Sequence, residues 1–194
     1  MRNPKGLLTE LVEVAALALG LYLIITFAIE TVHVDGLSMY PTVHNADYLV
    51  ALKLPYRFHN PSRGDIVIMR DPYDSSRDFI KRVVGLPGET ILIRNAKVYI
   101  NGRPLDEPYL AKNDPWTLDD NWPVDGKPYK LGPSQYFVMG DNRNNSTDSR
   151  IFGPIPRSSI EAQAWLRVLP FNRFGFVDPV RPHLLPKGAA APAG

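Results

Sequence analysis

A long apolar run near the N-terminus constrains the fold of this chain more than any other feature. Residues Leu11–Ile29 read LVEVAALALGLYLIITFAI and are apolar apart from Glu13 and Thr26. Extended back to Leu7, the run forms a helix about 34 Å long, which is sufficient to cross a hydrocarbon core of about 30 Å. We therefore predict that residues 1–29 comprise a short N-terminus and a single membrane anchor.

The charges around the run predict its orientation. Arg2 and Lys5 precede it, and no Lys or Arg follows it until Lys53. The positive-inside rule places the N-terminus in the cytoplasm and the chain from about Glu30 onward outside it, as a single-pass protein of the cell membrane. The alternative is a cleavable export signal, which has an apolar stretch of about 7–15 residues and small residues at its cut site. This run is longer and leaves through FAIETVHV without an Ala-x-Ala sequence, which favours a retained anchor.

Composition removes several function classes. The formal net charge is +2 with acids and bases mixed throughout, so no basic stripe indicates a nucleic-acid partner. Cysteine is absent, which excludes disulfides, thiolate nucleophiles and thiolate metal sites. The histidines, His33, His44, His59 and His183, form no HxxxH pair. We therefore expect neither a metal site nor a cofactor.

The rest of the chain has mainly β patterns. Short runs rich in β-branched and aromatic residues predict strands. They are DYLVALKL, DIVIMR, DFIKRVV, TILIR, KVYI and QYFVMG, at residues 47–54, 65–70, 78–84, 90–94, 97–100 and 135–140. Arg94-Asn95-Ala96 and Asn101-Gly102 are typical of tight turns. We predict an antiparallel β core built from residues 30–103 and 134–170.

Two segments fall outside the predicted core. Residues 104–133 are rich in Pro and Asp and have only brief apolar pieces, so we expect a small irregular β excursion there and not a second core. Residues 171–194 form a C-terminal segment, and from Arg181 the sequence RPHLLPKGAAAPAG has little to bury. We expect this tail to be disordered.

Polar residues in three stretches need an explanation beyond the β pattern. The first stretch is VDGLSMYPT, Val34–Thr42, in which Ser38 lies shortly after the anchor. A serine in a turn is usually a local hydrogen-bonding device. The second stretch is GDNRNNSTDSR, Gly140–Arg150, which is either a polar surface loop or a rigid, fully hydrogen-bonded support. Taken singly, both stretches favour the structural interpretation.

The third stretch places a cation on each face of an apolar strand. In RDFIKRVVGLPGE, alternation puts Lys81 on one face with Phe79, and Arg82 on the other with Ile80. An exposed cation is ordinary on an edge strand. A buried lysine has a pKa lowered by as much as about 3–5 units, and it becomes a usable base near neutral pH. An arginine cannot act in that way.

Together and in this order, these stretches resemble the bacterial type I signal peptidases, also called leader peptidases. After the anchor, the boxes of that family appear as SMYPT at Ser38–Thr42, RGDIVIMR at Arg63–Arg70, KRVVGLPGE at Lys81–Glu89 and GDNRNNSTDSR at Gly140–Arg150. The resemblance runs from about residue 7 to residue 170. It implies a membrane-bound serine endopeptidase with a Ser-Lys dyad on a β fold. Such enzymes remove signal peptides from exported preproteins after small residues, most often Ala-x-Ala.

The resemblance implies a role for each matching position. Ser38 matches the nucleophile and Lys81 the general base, while Ser146 matches the hydroxyl that hydrogen-bonds this base and orients it. Asp148 and Arg150 match a salt-bridged pair that holds the site in shape, and Asp141 matches an acid of the same support. The backbone N–H of Ser38 is the expected oxyanion donor. Gly36 lies where some members of the family carry a serine as a second donor.

The resemblance also implies how a substrate binds. Two shallow apolar pockets accept an extended signal peptide by excluding bulky side chains, and the residues expected to line this region are Val32, Val34, Met39, Ile68, Phe79 and Ile80. The alternative is that these are plain core positions. The implied partners are preproteins and membrane lipid, and the protein is expected to be a monomer. Five aromatic residues form either a patch on lipid or part of the core: Trp116, Trp122, Phe171, Phe174 and Phe176.

Other functions stay open on the residues alone. A Ser-His-Asp hydrolase would use His33 or His44 with Asp35 or Asp47, although no Gly-x-Ser-x-Gly framework accompanies them. An inactive relative would be a membrane-anchored module that binds preproteins. A specialised relative would process one precursor, such as that of a pilus or a conjugation system.

Overall fold

The computed structural model describes residues 4–111, 116, 126–177 and 180–189. Its first element is a helix, α1 (Pro4–Ala28), within which Leu8–Ala28 is apolar and long enough to cross a membrane. None of that stretch is buried inside the protein. Because a helix satisfies its own backbone hydrogen bonds, it is a form in which such a run can lie in lipid. The first strand begins directly at Ile29, the last residue of the predicted anchor.

Thirteen strands follow α1 in the part of the chain that the structure describes. In chain order they are β1 (Ile29–His33), β2 (Tyr48–Leu52), β3 (Ile66–Arg70), β4 (Asp78–Gly85), β5 (Thr90–Arg94), β6 (Lys97–Ile100), β7 (Arg103–Asp106), β8 (Tyr129–Lys130), β9 (Gln135–Met139), β10 (Ile155–Pro156), β11 (Ile160–Leu169), β12 (Gly175–Phe176) and β13 (His183–Leu184). Short helices occur at α2 (Pro55–Phe58) and α3 (Ser149–Phe152), with 3-10 turns at Arg157–Ser159 and Phe171–Arg173. The strands pair antiparallel, which confirms the mainly β prediction.

The first sheet has the strand order β1-β2-β11-β3-β4-β9-β10, with β12 paired to β11. Strand β4 lies between β3 and β9 in this sheet, and Lys81 is buried, so the interpretation of this residue as an exposed cation is wrong. The register pairs Asp78 to Arg82 of β4 with β3, whereas β9 pairs with β4 only from Arg82 onward. Among the described strands, residues 78–81 therefore have a second side without a partner.

Strand β11 crosses the middle of the first sheet and was not among the predicted strands. Its inward residues include Ala162 and Ala164, and Glu161 and Gln163 alternate with them. Alanine and glutamate have low β propensity, so this segment lacks the β-branched signature of the other strands. Pairing with β2 and β3 on either side decides its conformation.

The second sheet has the order β13-β7-β6-β5-β8, and its apolar side chains pack in one cluster with Val84 of β4 and with Phe137 and Met139 of β9. The tight turns predicted around residues 95 and 101 are present, since Asn95 and Asn101 both have positive φ. Residues 90–103, expected in the same core as the first sheet, thus belong to a separate layer. The predicted excursion supplies two of its strands, β8 and most of β7. Short strands of two to four residues give little pattern in the sequence, and residues 112–115 and 117–125 lie outside the described chain.

The C-terminal tail is ordered over its described part, so the expectation of disorder from Arg181 is wrong for residues 181–185. His183–Leu184 pairs with β7, and Arg181 forms an ion pair of 3.0 Å with Asp65. Arg103 donates hydrogen bonds of 2.9 Å to the carbonyls of Leu184 and Leu185. Backbone pairing and ion pairs hold this segment, whereas composition reports only on apolar burial.

Candidate active site

The loop between β1 and β2 presents Ser38. Val34 donates its N–H to the carbonyl of Asp47 at 2.9 Å, and Ala46 donates back to Val34 at 2.8 Å, which closes the base of the loop. Met39 is 1% exposed and packs into the apolar cluster of the first sheet. Because its neighbour is buried in this way, Ser38 is held half-buried at the surface of the sheet.

Lys81 reaches this serine from β4. Its Nζ lies 2.9 Å from Ser38 Oγ and 3.0 Å from the carbonyl oxygen of Ile80, and the residue is 3% exposed. The ring of Phe79 lies 4.8 Å from Nζ. Burial lowers the pKa of Lys81 to about 8, against the opposing charge of Asp148. A lysine with this pKa is in part a neutral amine near neutral pH, so it can accept a proton from the hydroxyl beside it.

A buried ion pair lies one residue further along β4. Arg82 and Asp141 are both fully buried at their side chains and form two hydrogen bonds, of 2.8 and 2.7 Å. Thr42 of the Ser38 loop donates its hydroxyl to the same carboxylate at 2.5 Å. Arg82 also donates to the carbonyl of Gly64 at 3.0 Å. The pair therefore ties β4 to the two loops that flank the Ser-Lys contact.

A second ion pair stabilises the loop at residues 140–150. Arg150 donates to both carboxylate oxygens of Asp148, at 2.9 and 2.8 Å, and Gly140 donates its N–H to Asp148 at 2.9 Å. Burial alone would raise the pKa of Asp148, but these hydrogen bonds and the charge of Arg150 outweigh it and lower that pKa. The carboxylate therefore stays ionised and keeps the loop folded against Gly140.

Gly140 brings this loop against Ser38. A Cβ at this position would lie 2.5 Å from the carbonyl oxygen of Ser38 and 2.2 Å from Ser146 Oγ, so only glycine fits. Asn142 donates its backbone N–H to the Ser38 carbonyl at 3.0 Å and its side-chain amide to the carbonyl of Leu37 at 3.1 Å. The backbone of the serine is thus held from one side by the 140–150 loop.

Ser146 is brought to the site, but without the expected bond. Its Oγ is buried and has no hydrogen-bond partner among the described residues. The bond to Lys81 that the resemblance implies is therefore not formed in this structure. The Lys81 Nζ instead has the Ile80 carbonyl as its second partner.

Comparisons with known proteins identify the family of the chain. The profile of the signal peptidase, peptidase S26, family matches residues 8–169. The chain is 37% identical over 181 residues to a probable signal peptidase I-1 of Synechocystis sp., across 89% of this chain and 88% of that protein. It is 40% identical over 171 residues to a signal peptidase I of Leptolyngbya laminosa, across 84% and 78%. A solved structure of a signal peptidase I from Enterococcus faecalis V583 is 34% identical, with a TM-score of 0.45, and covers 54% of this chain and 97% of that one.

The chain belongs to the signal peptidase, peptidase S26, family. It is a serine peptidase, and signal peptidase I activity is the function that this membership supports. With the apolar helix α1 at its N-terminus, membership indicates a membrane-anchored protein.

The residues expected to bind substrate in this peptidase divide into two groups. Three are core residues of the first sheet: Val34, Met39 and Ile68 are 4%, 1% and 1% exposed. Three are only partly buried and retain surface, namely Val32, Phe79 and Ile80. Val32 and Ile80 pack against the same apolar cluster, whereas Phe79 packs on the opposite one beside Lys81.

The histidine-based alternative finds no support in the contacts of the peptidase. The carboxylate of Asp47 pairs with Arg167 and Arg173, each at 2.7 Å, and its hydrogen bond from His44 comes from the backbone N–H and not from the ring. The Nδ1 of His44 is buried without a partner among the described residues. The ring of His33 packs against Tyr48. In the described part of the chain, no group of three or more His, Asp or Glu side chains is placed to hold a metal ion.

The aromatic residues of the peptidase also divide. Trp116 is 7% exposed and belongs to the cluster of the second sheet, so it is a core residue. Phe171, Phe174 and Phe176 are 82%, 61% and 66% exposed. Trp165, which was not singled out from the sequence, is half-exposed and packs against Phe176 at 5.6 Å between ring centroids. Trp122 lies outside the described residues.

Sequence reasoning missed several residues that hold the site. Arg82 was noticed as a cation on an apolar face but was given no role, and Thr42 and Arg143 were read only as parts of motifs. Glu107 and Tyr109, which contact Arg143, lie in the excursion. Nothing in their own segment indicates a role, because the partner is some thirty residues away in sequence.

Proposed function

We propose that this peptidase is a membrane-bound endopeptidase that removes signal peptides from exported preproteins, with Ser38 as nucleophile and Lys81 as general base. The observation that carries the proposal is the 2.9 Å contact between Lys81 Nζ and Ser38 Oγ, made by a lysine that is 3% exposed. A serine hydroxyl is a weak nucleophile until an adjacent base takes its proton, an effect typically worth about 10²–10⁴-fold. Serine with lysine is a known variant of this arrangement.

The steps follow from the geometry. Neutral Lys81 takes the proton of Ser38 as Oγ attacks the scissile carbonyl carbon, and a tetrahedral oxyanion forms. The lysine then gives its proton to the leaving amine, and an acyl-serine remains. The same amine takes a proton from a water molecule that attacks the ester carbon; the bond to Ser38 Oγ then breaks, the lysine returns the proton to Oγ, and the product leaves as a carboxylic acid. A lysine has one nitrogen to aim, so it needs a dry pocket and a fixed partner, and not a third carboxylate to select a tautomer.

The oxyanion requires hydrogen-bond donors. The backbone N–H of Ser38 has no acceptor among the described residues, which leaves it available for this role. Gly36 offers no side chain, and its N–H already donates to Asn45 Oδ1 at 2.8 Å. The backbone of Gly36 has φ +121°, a conformation that residues with a side chain rarely adopt. A second donor at this position is therefore not part of the proposal.

Ser146 remains the proposed orienting hydroxyl. Its buried Oγ lies next to Gly140, at the point where the 140–150 loop meets Ser38. An unpaired buried hydroxyl costs free energy, and a partner that forms on substrate binding would remove that cost. Catalytic hydrogen bonds often shorten only when the substrate is in place.

We propose that the substrate binds as an added strand, with small residues required at alternate positions. Strand β1 pairs only with β2 among the described strands, and residues 78–81 have one side without a partner. A peptide inserted between these two open edges would use backbone hydrogen bonds for affinity and alternate side chains for specificity. Val32, Ile80 and Phe79 are the partly buried residues that would limit the size of those side chains.

The pocket assignment has its own test. The double variant Val32→Ala and Ile80→Ala should widen the pockets and accept preproteins with larger residues in place of the Ala-x-Ala alanines. Cleavage would be compared across a series of preproteins that carry Ala, Val and Leu at those positions. An unchanged preference for alanine would exclude these two residues as the size limit.

Anchoring and lipid contact complete the proposal. Arg2 and Lys5, which precede the apolar stretch that begins at Leu8, support a cytoplasmic N-terminus and an extracytoplasmic catalytic domain. Phe176 lies in β12, on the same sheet as β1, into which α1 runs. Phe171 and Phe174 lie just before β12, and the three exposed rings would sit in the lipid interface. A site held at the membrane raises its effective concentration for a substrate whose own apolar segment is in the bilayer. The enzyme would act as a monomer.

The decisive experiment uses the full chain in detergent with a preprotein that carries an Ala-x-Ala cleavage site. Wild-type protein should release the mature protein, whereas Ser38→Ala and Lys81→Ala should each lose activity by at least about 10²-fold and remain folded. Circular dichroism checks the fold of each variant. A Lys81→Ala protein with near-normal turnover would exclude the dyad, and a wild-type protein that binds but does not cleave would leave the preprotein-binding interpretation.

A further inference from the structure

Two side chains of the excursion reach into the active-site support, although they lie outside every motif of the sequence. We propose that Glu107 and Tyr109 are positioning residues, which fix the loop at residues 140–146 against Ser38 through Arg143. This inference rests on the proposed function and adds two residues from the second sheet's side of the molecule to it. The contacts form a chain from the excursion to the nucleophile.

The first link is a buried cluster of three side chains. Arg143 Nη1 donates to Glu107 at 3.2 Å, Nη2 forms a closer hydrogen bond to the second oxygen, and the two side chains are 3% and 7% exposed. Tyr109 donates its hydroxyl to Glu107 at 2.7 Å and lies 3.4 Å from Arg143. Burial, with the charge of Glu107, raises the pKa of Tyr109, so the phenol keeps its proton. Every charge in the cluster is thus paired.

The second link runs from Arg143 into the loop. Its Nε donates to the carbonyl of Gly140 at 3.0 Å, and its own carbonyl accepts a hydrogen bond of 2.8 Å from Arg150. Asp148 holds the N–H of the same glycine at 2.9 Å. Both backbone polar groups of Gly140 are therefore fixed by charged side chains. This is the residue at which an added Cβ would lie 2.5 Å from the carbonyl oxygen of Ser38.

The third link is the ring of Tyr109. The guanidinium carbon of Arg82 lies 3.8 Å from the centre of that ring, and the same guanidinium forms the pair with Asp141. The ring therefore covers the pair that also holds Thr42 of the Ser38 loop. An aromatic face attracts a desolvated cation and keeps water away from it. The excursion thus contacts two of the cations that support the site, Arg82 and Arg143.

Loss of the Glu107 carboxylate should change the position of Ser38. Removing one partner of a buried ion pair leaves the other charge uncompensated, so Arg143 would move or admit water. Either change releases the carbonyl of Gly140. Displacements of about 1 Å at a reacting group can reduce a rate about 10²-fold even when the altered residue is remote from the chemistry.

The test compares neighbouring acids on the same segment. Glu107→Gln removes the charge that Arg143 needs, whereas Asp106→Asn removes an adjacent acid whose partner is the exposed His183. Preprotein cleavage should show a kcat at least about tenfold lower for Glu107→Gln with KM little changed, and wild-type values for Asp106→Asn. Tyr109→Phe keeps the ring over Arg82 and loses only the hydroxyl, so a smaller decrease of about twofold to fivefold in kcat is expected.

The pH profile of kcat/KM distinguishes positioning from simple loss of stability. The charged groups that act on Lys81 are Asp148, Arg150, Asp71 and Asp141, and burial is the largest cause of its low pKa. Water admitted by Glu107→Gln would weaken that burial, so the acid limb should move to higher pH by half a unit or more. Thermal unfolding, measured for each variant, ensures that assays are done on folded protein.

Several outcomes would overturn the inference. Glu107→Gln with a lower Tm but wild-type kcat and acid limb would reduce the cluster to a structural role. If Glu107→Gln does not fold, Tyr109→Leu, which lacks both the hydroxyl and the ring, takes its place. A folded Tyr109→Leu protein with wild-type kcat would likewise reduce the cluster to a structural role. A failure of the proposed function is recognised separately, since Ser38→Ala would then retain activity or the wild type would have none.

Discussion

The two sheets of this protein bury different kinds of side chain. Around the first sheet, five charged residues of the site are each less than a tenth exposed: Lys81, Arg82, Asp141, Asp148 and Arg150. The second sheet buries apolar residues, including Ile91, Ile93, Val98, Ile100 and Leu131. Among the described residues, no buried charge lies on β5, β6, β7, β8 or β13. The first region adds buried ion pairs to its apolar packing, whereas the second is held by apolar packing.

The difference shows what each region contributes. Buried ion pairs add little net stability, because desolvation offsets their attraction, yet they tolerate only a narrow geometry. Apolar packing stabilises the fold without specifying one atom's position so closely. The ion pairs of the first region therefore fix the positions of the side chains around Ser38 and Lys81. The second stabilises the molecule through apolar packing. Glu107 and Tyr109 follow β7 of that sheet and contact the charged residues of the first region.

Breaking an ion pair in the first region should have the largest effect. Asp141→Ala leaves Arg82 buried without its partner, so we expect the free energy of unfolding to fall by about 3–5 kcal/mol. Activity should fall as well, because Thr42 loses its acceptor. Urea unfolding and preprotein cleavage measure the two effects.

A double variant sharpens the same point. Arg82→Met with Asp141→Leu removes both charges and should recover much of the lost stability, since apolar side chains can replace a buried pair without loss. Its activity should stay low, because the hydrogen bond to Thr42 is not restored. Recovery of both properties together would show that the pair serves stability alone.

The pH dependence of the first region comes next in size. With the pKa of Lys81 lowered to about 8 by burial, kcat/KM should fall about tenfold for each pH unit below that value. Above it, the unfolded chain binds more protons than the folded one up to the ordinary pKa of 10.5. The free energy of unfolding should therefore rise with pH between about 8 and 10.5, relative to Lys81→Met. An acid limb near the ordinary pKa of lysine would contradict a buried base.

The smallest effect is expected from a matched pair of core truncations. Ile93→Val in the second sheet and Ile68→Val in the first each remove one buried methylene, at a cost of about 0.5–1.5 kcal/mol. Both should lower Tm, but only Ile68→Val should change KM or kcat, because Ile68 packs with Met39 and Ile80. Equal kinetic effects from the two variants would remove the distinction between the regions.

Strand prediction succeeded where local pattern and burial agree. The runs at residues 90–94 and 97–100 coincide with β5 and β6, and both contain β-branched residues with turns beside them. It failed for β11, whose alanines carry no such pattern, and for the paired tail at His183–Leu184. These segments become strands because their neighbours offer open edges. No property of the segments themselves indicates it.

The candidate site likewise divides into features that local sequence predicted and features that depend on neighbours in space. Four ordered motifs brought Ser38 and Lys81 forward, and the structure places them within hydrogen-bonding distance. The alternation of β4 indicated two cations on opposite faces but not that both Lys81 and Arg82 are buried. Ser146 was expected to bond the lysine, and its hydroxyl has no partner among the described residues.

The sequence by itself determined the apolar helix, the mainly β body and the order in which a serine and a lysine of matching type occur. These depend on local periodicity and on residue chemistry, which are properties of short segments. Only the tertiary structure decided that β4 lies between β3 and β9, that its lysine is buried, and that a glutamate and a tyrosine of the excursion reach the site. Desolvation and ion pairing depend on what surrounds a group in space, and segments distant in the chain supply those surroundings.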